Sequence, residues 1–272
     1  MATLENHTLF YDTSCPLCAA YTKGFIASGM LDANGRCSYE KGVERYGHLL
    51  DSNRARNEIA LVNTEKGTVL YGIRSMNYVI THNLPFLKPI LNHAAVLFLL
   101  NKFYAFISYN RKVIAPSPDY LQQRCVPDFN IPYRLAYLLG SAMLTATVLS
   151  SYSVLLQDVV PASNPWREYM IASGQIFFQA NILLAFKPTK KLLFDYLGNM
   201  MTVSLIGSLL LLPLLILNHY MTVSSYLALG WFFAVVLYMF LLHRRRVGYI
   251  QAPVGLSYTW VLYRIVVLLI IL

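Results

Sequence analysis

The stretch His7-Thr-Leu-Phe-Tyr-Asp12-Thr-Ser-Cys15-Pro-Leu-Cys18 joins a short β-prone run, Thr8–Tyr11, to two cysteines separated by two residues. Ser14 is the residue type that caps a helix N-terminus, and Ala19, Ala20, Phe25 and Ile26 read as the helix beyond the pair. The spacing therefore puts Cys15 at a helix N-terminus, where unpaired N–H groups carry partial positive charge and favour a thiolate. Cys18 follows one turn later, within reach to close a disulfide on Cys15. Strand, CxxC and helix, in that order, is what thiol–disulfide exchange requires.

Outward from this stretch the pattern remains α/β. Arg36–Tyr39 reads as a second strand and Val43–Leu50 as a short helix. Glu58–Asn63 and Thr68–Tyr71 read as a hairpin turning at Lys66-Gly67, with a further helix starting over Ser75–Thr81. His93–Ile107 is apolar but broken by Asn101 and Lys102, and reads as a buried or interfacial helix rather than a span.

With these elements in place, residues 8–112 resemble the DCC thiol–disulfide oxidoreductase family, named for its Asp-x-x-Cys-x-x-Cys motif, here Asp12, Cys15 and Cys18. The hairpin strand followed by Gly72 and a helix belongs to the resemblance, as does the late Tyr104…Asn110-Arg111 segment. The resemblance implies a thioredoxin-like fold, dithiol chemistry, and a site role for Arg111. The residues between the cysteines are Pro-Leu, where thioredoxin has Gly-Pro.

The residues by themselves leave alternatives open. Cys15, Cys18, Cys37 and Cys125 offer one CxxC and two distant singles, without the second CxxC usual in a zinc ribbon. No metal ligand set is assigned, and an inert cysteine pair is the third reading. Asp12 is either a strand-end turn residue or the group that helps deprotonate Cys18 during resolution. Cys37, alone in a strand, reads as a small buried hydrophobe. Cys125 sits in a Pro-punctuated linker and is either buried or a thiol that exchanges with the pair. No phosphate loop, dinucleotide Gly pattern, HExxH or acyl-transfer triad is present, so no cofactor is expected.

Composition divides the chain. Residues 1–134 hold 24 of the 35 charged residues and 135–272 hold 11. Overall, 13% charged and 56% apolar residues exclude a wholly water-exposed globule, in which about a quarter of residues are charged. Five apolar segments follow: 135–156, 169–186, 197–217, 223–242 and 254–272, each near the roughly 20 residues of a bilayer crossing. The second is interrupted by Gln175, Gln179 and Asn181, and the third contains Pro213. The expected organisation is an α/β thioredoxin-like cytoplasmic domain over 1–118, a linker over 119–134, and an all-α membrane bundle of about five transmembrane helices over 135–272.

Orientation follows from the 22 basic residues: 20 precede the first span or lie in the two loops predicted inside, Arg167 lies outside, and Arg264 is within span five. Met1–His7 lacks a basic, apolar leader, so the N-terminal domain is expected in the cytoplasm and the C-terminus outside an inner (plasma) membrane. The net charge of +9 is explained by loops facing anionic lipid, without nucleic acid. Expected partners are the lipid bilayer, a protein thiol or disulfide, and further membrane-complex subunits. Gln175 and Gln179 share a helix face and are expected to hydrogen-bond a neighbouring helix. Arg264 is costly in a membrane and is expected to face the bundle interior or a partner, with Asp195, Asn199, Gln175 and Gln179 the nearest candidate acceptors. The expected activity is membrane-anchored thiol–disulfide exchange with Cys15 attacking and Cys18 resolving. The alternative is a non-catalytic accessory or scaffold subunit of a membrane complex.

Overall fold

The computed structural model describes residues 3–118, 125–161, 164 and 166–271. The chain divides into two compact units, Met1–Tyr133 and Arg134–Leu272.

The first unit is built on four strands, β1 (His7–Tyr11), β2 (Arg36–Ser38), β3 (Ala60–Asn63) and β4 (Val69–Tyr71), in the order β2-β1-β3-β4. β1 runs parallel to β2 and antiparallel to β3, and β3 pairs antiparallel with β4. The parallel pair requires a crossover, which α1 (Pro16–Ala27) supplies, whereas β3 and β4 need only a tight loop. In that loop Asn63 Oδ1 accepts from the backbone N–H groups of Glu65 and Lys66, and Gly67 takes φ +66°, a conformation costly for any residue with a Cβ.

Helices cover both faces of the sheet, so successive strand residues are apolar on both sides. Leu9 and Leu61 pack towards α1 and α4 (Ile73–Asn83), while Phe10, Ala60 and Val62 pack against α2 (Tyr39–Tyr46) and α3 (Ser52–Asn57). Fully burying a side chain such as Leu9 is worth about 1.5–3 kcal/mol, so both layers are needed. The helix expected at Val43–Leu50 starts earlier, because Ser38 Oγ caps it by accepting from Lys41 N. α3 follows as a separate helix capped by Asp51, whose carboxylate accepts from Asn53 N and Arg54 N.

A short α5 (Lys88–Leu91) meets the long α6 (Ala94–Ile114) at an elbow: the helical segments Pro85–Leu91 and Ala94–Ile114 cross at 84°. Over 93–107, the stretch expected as a buried or interfacial helix, no residue is buried by the protein, and burial starts only in the last turns of α6. Ser108, Asn110, Arg111, Lys112 and Val113 are buried, whereas Phe98, Leu99 and Phe103 are 60–65% exposed. An apolar face left uncovered by the protein calls for another apolar surface.

The linker expected to reach residue 134 ends at Ile131, where α7 (Ile131–Ser153) begins. Asn130 Oδ1 accepts from Tyr133 N, and Pro132 occupies the first turn, where a missing N–H costs nothing. Residues 119–124 of the predicted linker lie outside the described residues. The linker residues that follow are held in place, since Asn57 Nδ2 donates to Asp128 at 2.7 Å and Arg56 pairs with Asp128 at 3.2 Å.

The second unit is helical, continuing α7 and adding α8 (Arg167–Leu184), α9 (Lys190–Tyr220), α10 (Ser225–Tyr249) and α11 (Gly255–Ile271). All five predicted apolar segments are helices. Three are long and apolar enough to cross a membrane: Ile131–Leu156, Lys190–Tyr220 and Ser225–Tyr249. α8 and α11 are shorter, at 18 and 17 residues. Polar bonds at the two ends fix an alternating arrangement. Arg134 on α7 pairs with Asp195 on α9 at 3.0 Å, and Arg246 at the end of α10 donates to Asn199 Oδ1 at 3.1 Å. At the other end, Tyr152 of α7 donates to Ala228 O of α10.

Gln179 bridges as expected, accepting from Tyr196 OH on α9 and Thr259 Oγ1 on α11. Three of the acceptors expected for Arg264 are engaged elsewhere: Asp195 by Arg134, Asn199 by Arg246, Gln179 by Tyr196 and Thr259. Arg264 instead lies over the Trp260 ring, 4.1 Å from its centroid. Sequence counting placed these groups at similar depth but could not place them on the same face.

Candidate functional site

The end of β1 delivers Asp12, and the three-residue turn that follows starts α1. Ser14, expected as the helix cap, does not cap it. Its N–H and Oγ both donate to Asp12 Oδ1, at 3.0 and 2.5 Å, closing the turn locally. Cys15 is the cap instead: its backbone is extended, Pro16 opens the helix, and its Sγ accepts from Cys18 N at 3.5 Å. A sulfur in a capping position receives the unpaired helical N–H groups directly, which is the geometry that stabilises a thiolate.

The electrostatics follow from this placement. The Cys15 thiol is lowered from 9.0 to about 6, chiefly by the Cys18 side chain and backbone donating to it, with the Arg111 charge contributing. Burial and Asp12 oppose the shift. Cys18 is pushed upward, because its proton is shared with Cys15 and its sulfur is buried. One proton held between two sulfurs leaves the negative charge mainly on Cys15 and the proton on Cys18. Both thiols are free, and only 1% of Cys15 and 6% of Cys18 is exposed.

The final turns of α6 close the site from residues about 100 positions away. Lys112 Nζ donates to Asp12 Oδ2 at 2.9 Å and to Ser14 Oγ at 3.4 Å. The Arg111 guanidinium lies 3.6 Å from Asp12 Oδ2 and donates to Arg56 O, Cys125 O and Cys125 Sγ. Both cations are buried, so the Asp12 carboxylate is the counter-charge that makes their burial tolerable. Burial pushes the Cys125 thiol up to about 11, against the pull of Arg111. A cavity of about 10 Å³ is bounded by Asp12, Cys18, Tyr21, Ile59, Arg111 and Cys125, room for about one water.

The structure thus brings together Asp12, Cys15, Cys18, Arg111 and Cys125, all singled out in the sequence, and leaves Arg264 in the other unit. Cys37 is on β2, near Lys41 and Arg45. Three further residues had not been singled out for a site role. Lys112 is the closest cation to Asp12; its only sequence signal is a lysine ending an apolar helix. Tyr21 lies beside the Cys18 sulfur, one turn further along α1. Tyr104 accepts from Ile59 N at 2.8 Å, fixing α6 against the start of β3. Among the described residues, no three His, Cys, Asp or Glu side chains converge into a metal-binding cluster. No family model, curated protein or solved structure matches this chain.

Proposed function

We propose that the first unit is a thioredoxin-like dithiol oxidoreductase of the DCC type, held at a membrane by the helical second unit. The carrying observation is Cys15 as the N-cap of α1, with its Sγ accepting from Cys18 and its thiol lowered to about 6. The strand order β2-β1-β3-β4, with β1 and β2 parallel and the last two antiparallel, supports the fold assignment. So does the position of the CxxC directly after the central strand β1.

In this reading the Cys15 thiolate attacks one sulfur of a substrate disulfide. The substrate S–S bond breaks, its second sulfur leaves as a thiol after taking a proton from solvent, and a Cys15–substrate mixed disulfide forms. Cys18 then attacks the Cys15 sulfur, breaking the Cys15–substrate bond; the proton it loses ends on the departing substrate sulfur, which leaves as a thiol, and a Cys15–Cys18 disulfide remains. The substrate is reduced by two electrons and the protein dithiol is oxidised. Arg111 supplies positive charge across the pair, and Asp12, held by Lys112 and Ser14, fixes the turn that presents Cys15. The 20 basic residues assigned to one side support a cytoplasmic location for the site.

A second reading is favoured by one observation, the near-complete enclosure of both sulfurs. It takes the first unit as a docking module of a membrane complex whose cysteines stay reduced. A redox titration of the full-length protein separates the two. The catalytic reading expects a reversible two-electron transition of Cys15–Cys18 within the cytosolic range, abolished by Cys18→Ser. A pair that remains reduced against every buffer in that range selects the docking module.

A further inference from the structure

The helical unit contains a cavity of about 780 Å³ among α7, α8, α10 and α11, a size at which small-molecule sites are commonly found, roughly 300–1,000 Å³. Leu149, Phe232, Val236, Phe240 and Leu268 form apolar walls. Three charged residues also line it: Arg167, Glu168 and Arg264. Arg167 and Glu168 pair with each other at 2.9 Å, leaving Arg264 as the net charge.

Arg264 is partly compensated by the Trp260 ring beneath its guanidinium. Among the described residues it makes no ion pair, and its Nε is buried without an acceptor. A cation at membrane depth is costly unless something answers it. A ring face answers the charge but accepts none of the directed N–H bonds. An oxygen that carries negative charge would supply both the acceptor and the counter-charge.

Its depth can be placed. Tyr263, next to Arg264, donates to Ile171 O at 2.8 Å, one turn into α8, and the cavity that Arg264 lines is also lined by Arg167 and Glu168 at the start of that helix. The polar end of the cavity is thus near helix termini, and apolar walls extend from it. That division matches a molecule with a charged head and a hydrocarbon chain.

We propose that this cavity binds an anionic phospholipid, its phosphate on Arg264 and an acyl chain along the Phe232, Val236 and Phe240 wall. Trp260, under the guanidinium, is a built-in reporter. In full-length protein carrying Trp166→Phe and Trp231→Phe, it is the sole tryptophan. The protein is placed in phosphatidylcholine vesicles doped with either brominated-chain phosphatidylglycerol or brominated-chain phosphatidylcholine. Phosphatidylglycerol should quench Trp260 at a lower mole fraction. Arg264→Gln should reduce that preference by about tenfold, the size of one lost charged hydrogen bond, and Arg264→Lys should retain most of it. Val236→Phe, which fills part of the wall, should weaken quenching by both lipids while leaving the preference. It decides the question should Arg264→Gln not fold. Equal quenching by both lipids in the parent protein, or a preference indifferent to Arg264→Gln, overturns the proposal. So does quenching by a brominated fatty acid with the same Arg264 dependence when phosphatidylglycerol gives none.

Discussion

Removing the Cys18 side chain tests the electrostatic account of the pair. Cys15 is lowered from 9.0 to about 6, and the largest cause is the hydrogen bond from the Cys18 side chain. At pH 7 a thiol with a midpoint near 6 is about ten parts thiolate to one part thiol, whereas at 9.0 the ratio is about one to a hundred. A hydrogen bond to a charged group is worth about 1.5–3 kcal/mol, equivalent to about 1–2 pH units. Cys18→Ala should therefore raise the Cys15 midpoint by about that much, leaving the Cys18 backbone N–H and Arg111 to hold it below an ordinary thiol. The assay is thiolate ultraviolet absorbance against pH, in protein carrying Cys37→Ser and Cys125→Ser, with the oxidised form as blank. In the parent protein the lower step belongs to the pair, with the charge resident mainly on Cys15. A reduced parent that titrates only near 9, or a Cys18→Ala midpoint that does not move, would refute the reasoning.

Other consequences are as direct. Because Cys15 is lowered in the folded state, reduced protein should gain stability as pH rises from about 6 towards 9 and lose it as pH falls through 6; the raised Cys18 thiol reverses the gain above 9. Denaturant melts of reduced and oxidised protein check this, since the disulfide form has neither proton to lose. Asp12→Asn leaves both buried cations, Lys112 at 2.9 Å and Arg111 at 3.6 Å, without their counter-charge and should cost about 3–5 kcal/mol, whereas Lys112→Met keeps the Arg111–Asp12 pair and should cost less; denaturant melts of the two variants check the order. On α6, a spin label at Phe98 or Phe103 in membrane-reconstituted protein should be shielded from a water-soluble relaxant, and equal accessibility to one at exposed Lys66 would show that lipid does not cover this face. Gly174→Val should loosen α8 from α11, because even a Cβ at Gly174 comes within 2.5 Å of the Tyr263 hydroxyl; unchanged thermal stability would contradict that packing.

The candidate site was legible where its residues are neighbours in the chain. Asp12, Cys15 and Cys18 span seven residues, and strand-to-helix order alone locates Cys15 at a helix N-terminus. Which residue does the capping was misread, because Ser14 spends its hydroxyl on Asp12 and leaves the helix N–H groups to a sulfur. Lys112 carried no signal beyond being a lysine near the end of an apolar helix, since its meaning depends on a carboxylate 100 positions earlier. The Val43–Leu50 helix was displaced for a local reason, the Ser38 cap.

The sequence by itself determined two things about this protein: an α/β half, richer in charge and carrying a thiol pair near its start, and an apolar half of helices. Both rest on short-range chemistry, namely strand periodicity, cap and turn residues, and runs of apolar side chains without charge. Tertiary structure alone decided which distant charges meet. It set Lys112 and Arg111 on Asp12, gave Asp195 to Arg134, and left Arg264 over Trp260 facing a cavity. Depth along a helix can be counted from residue numbers. The face a residue presents, and what lies opposite it, is set only when helices and sheet pack, because a few tens of degrees of rotation exchange one partner for another.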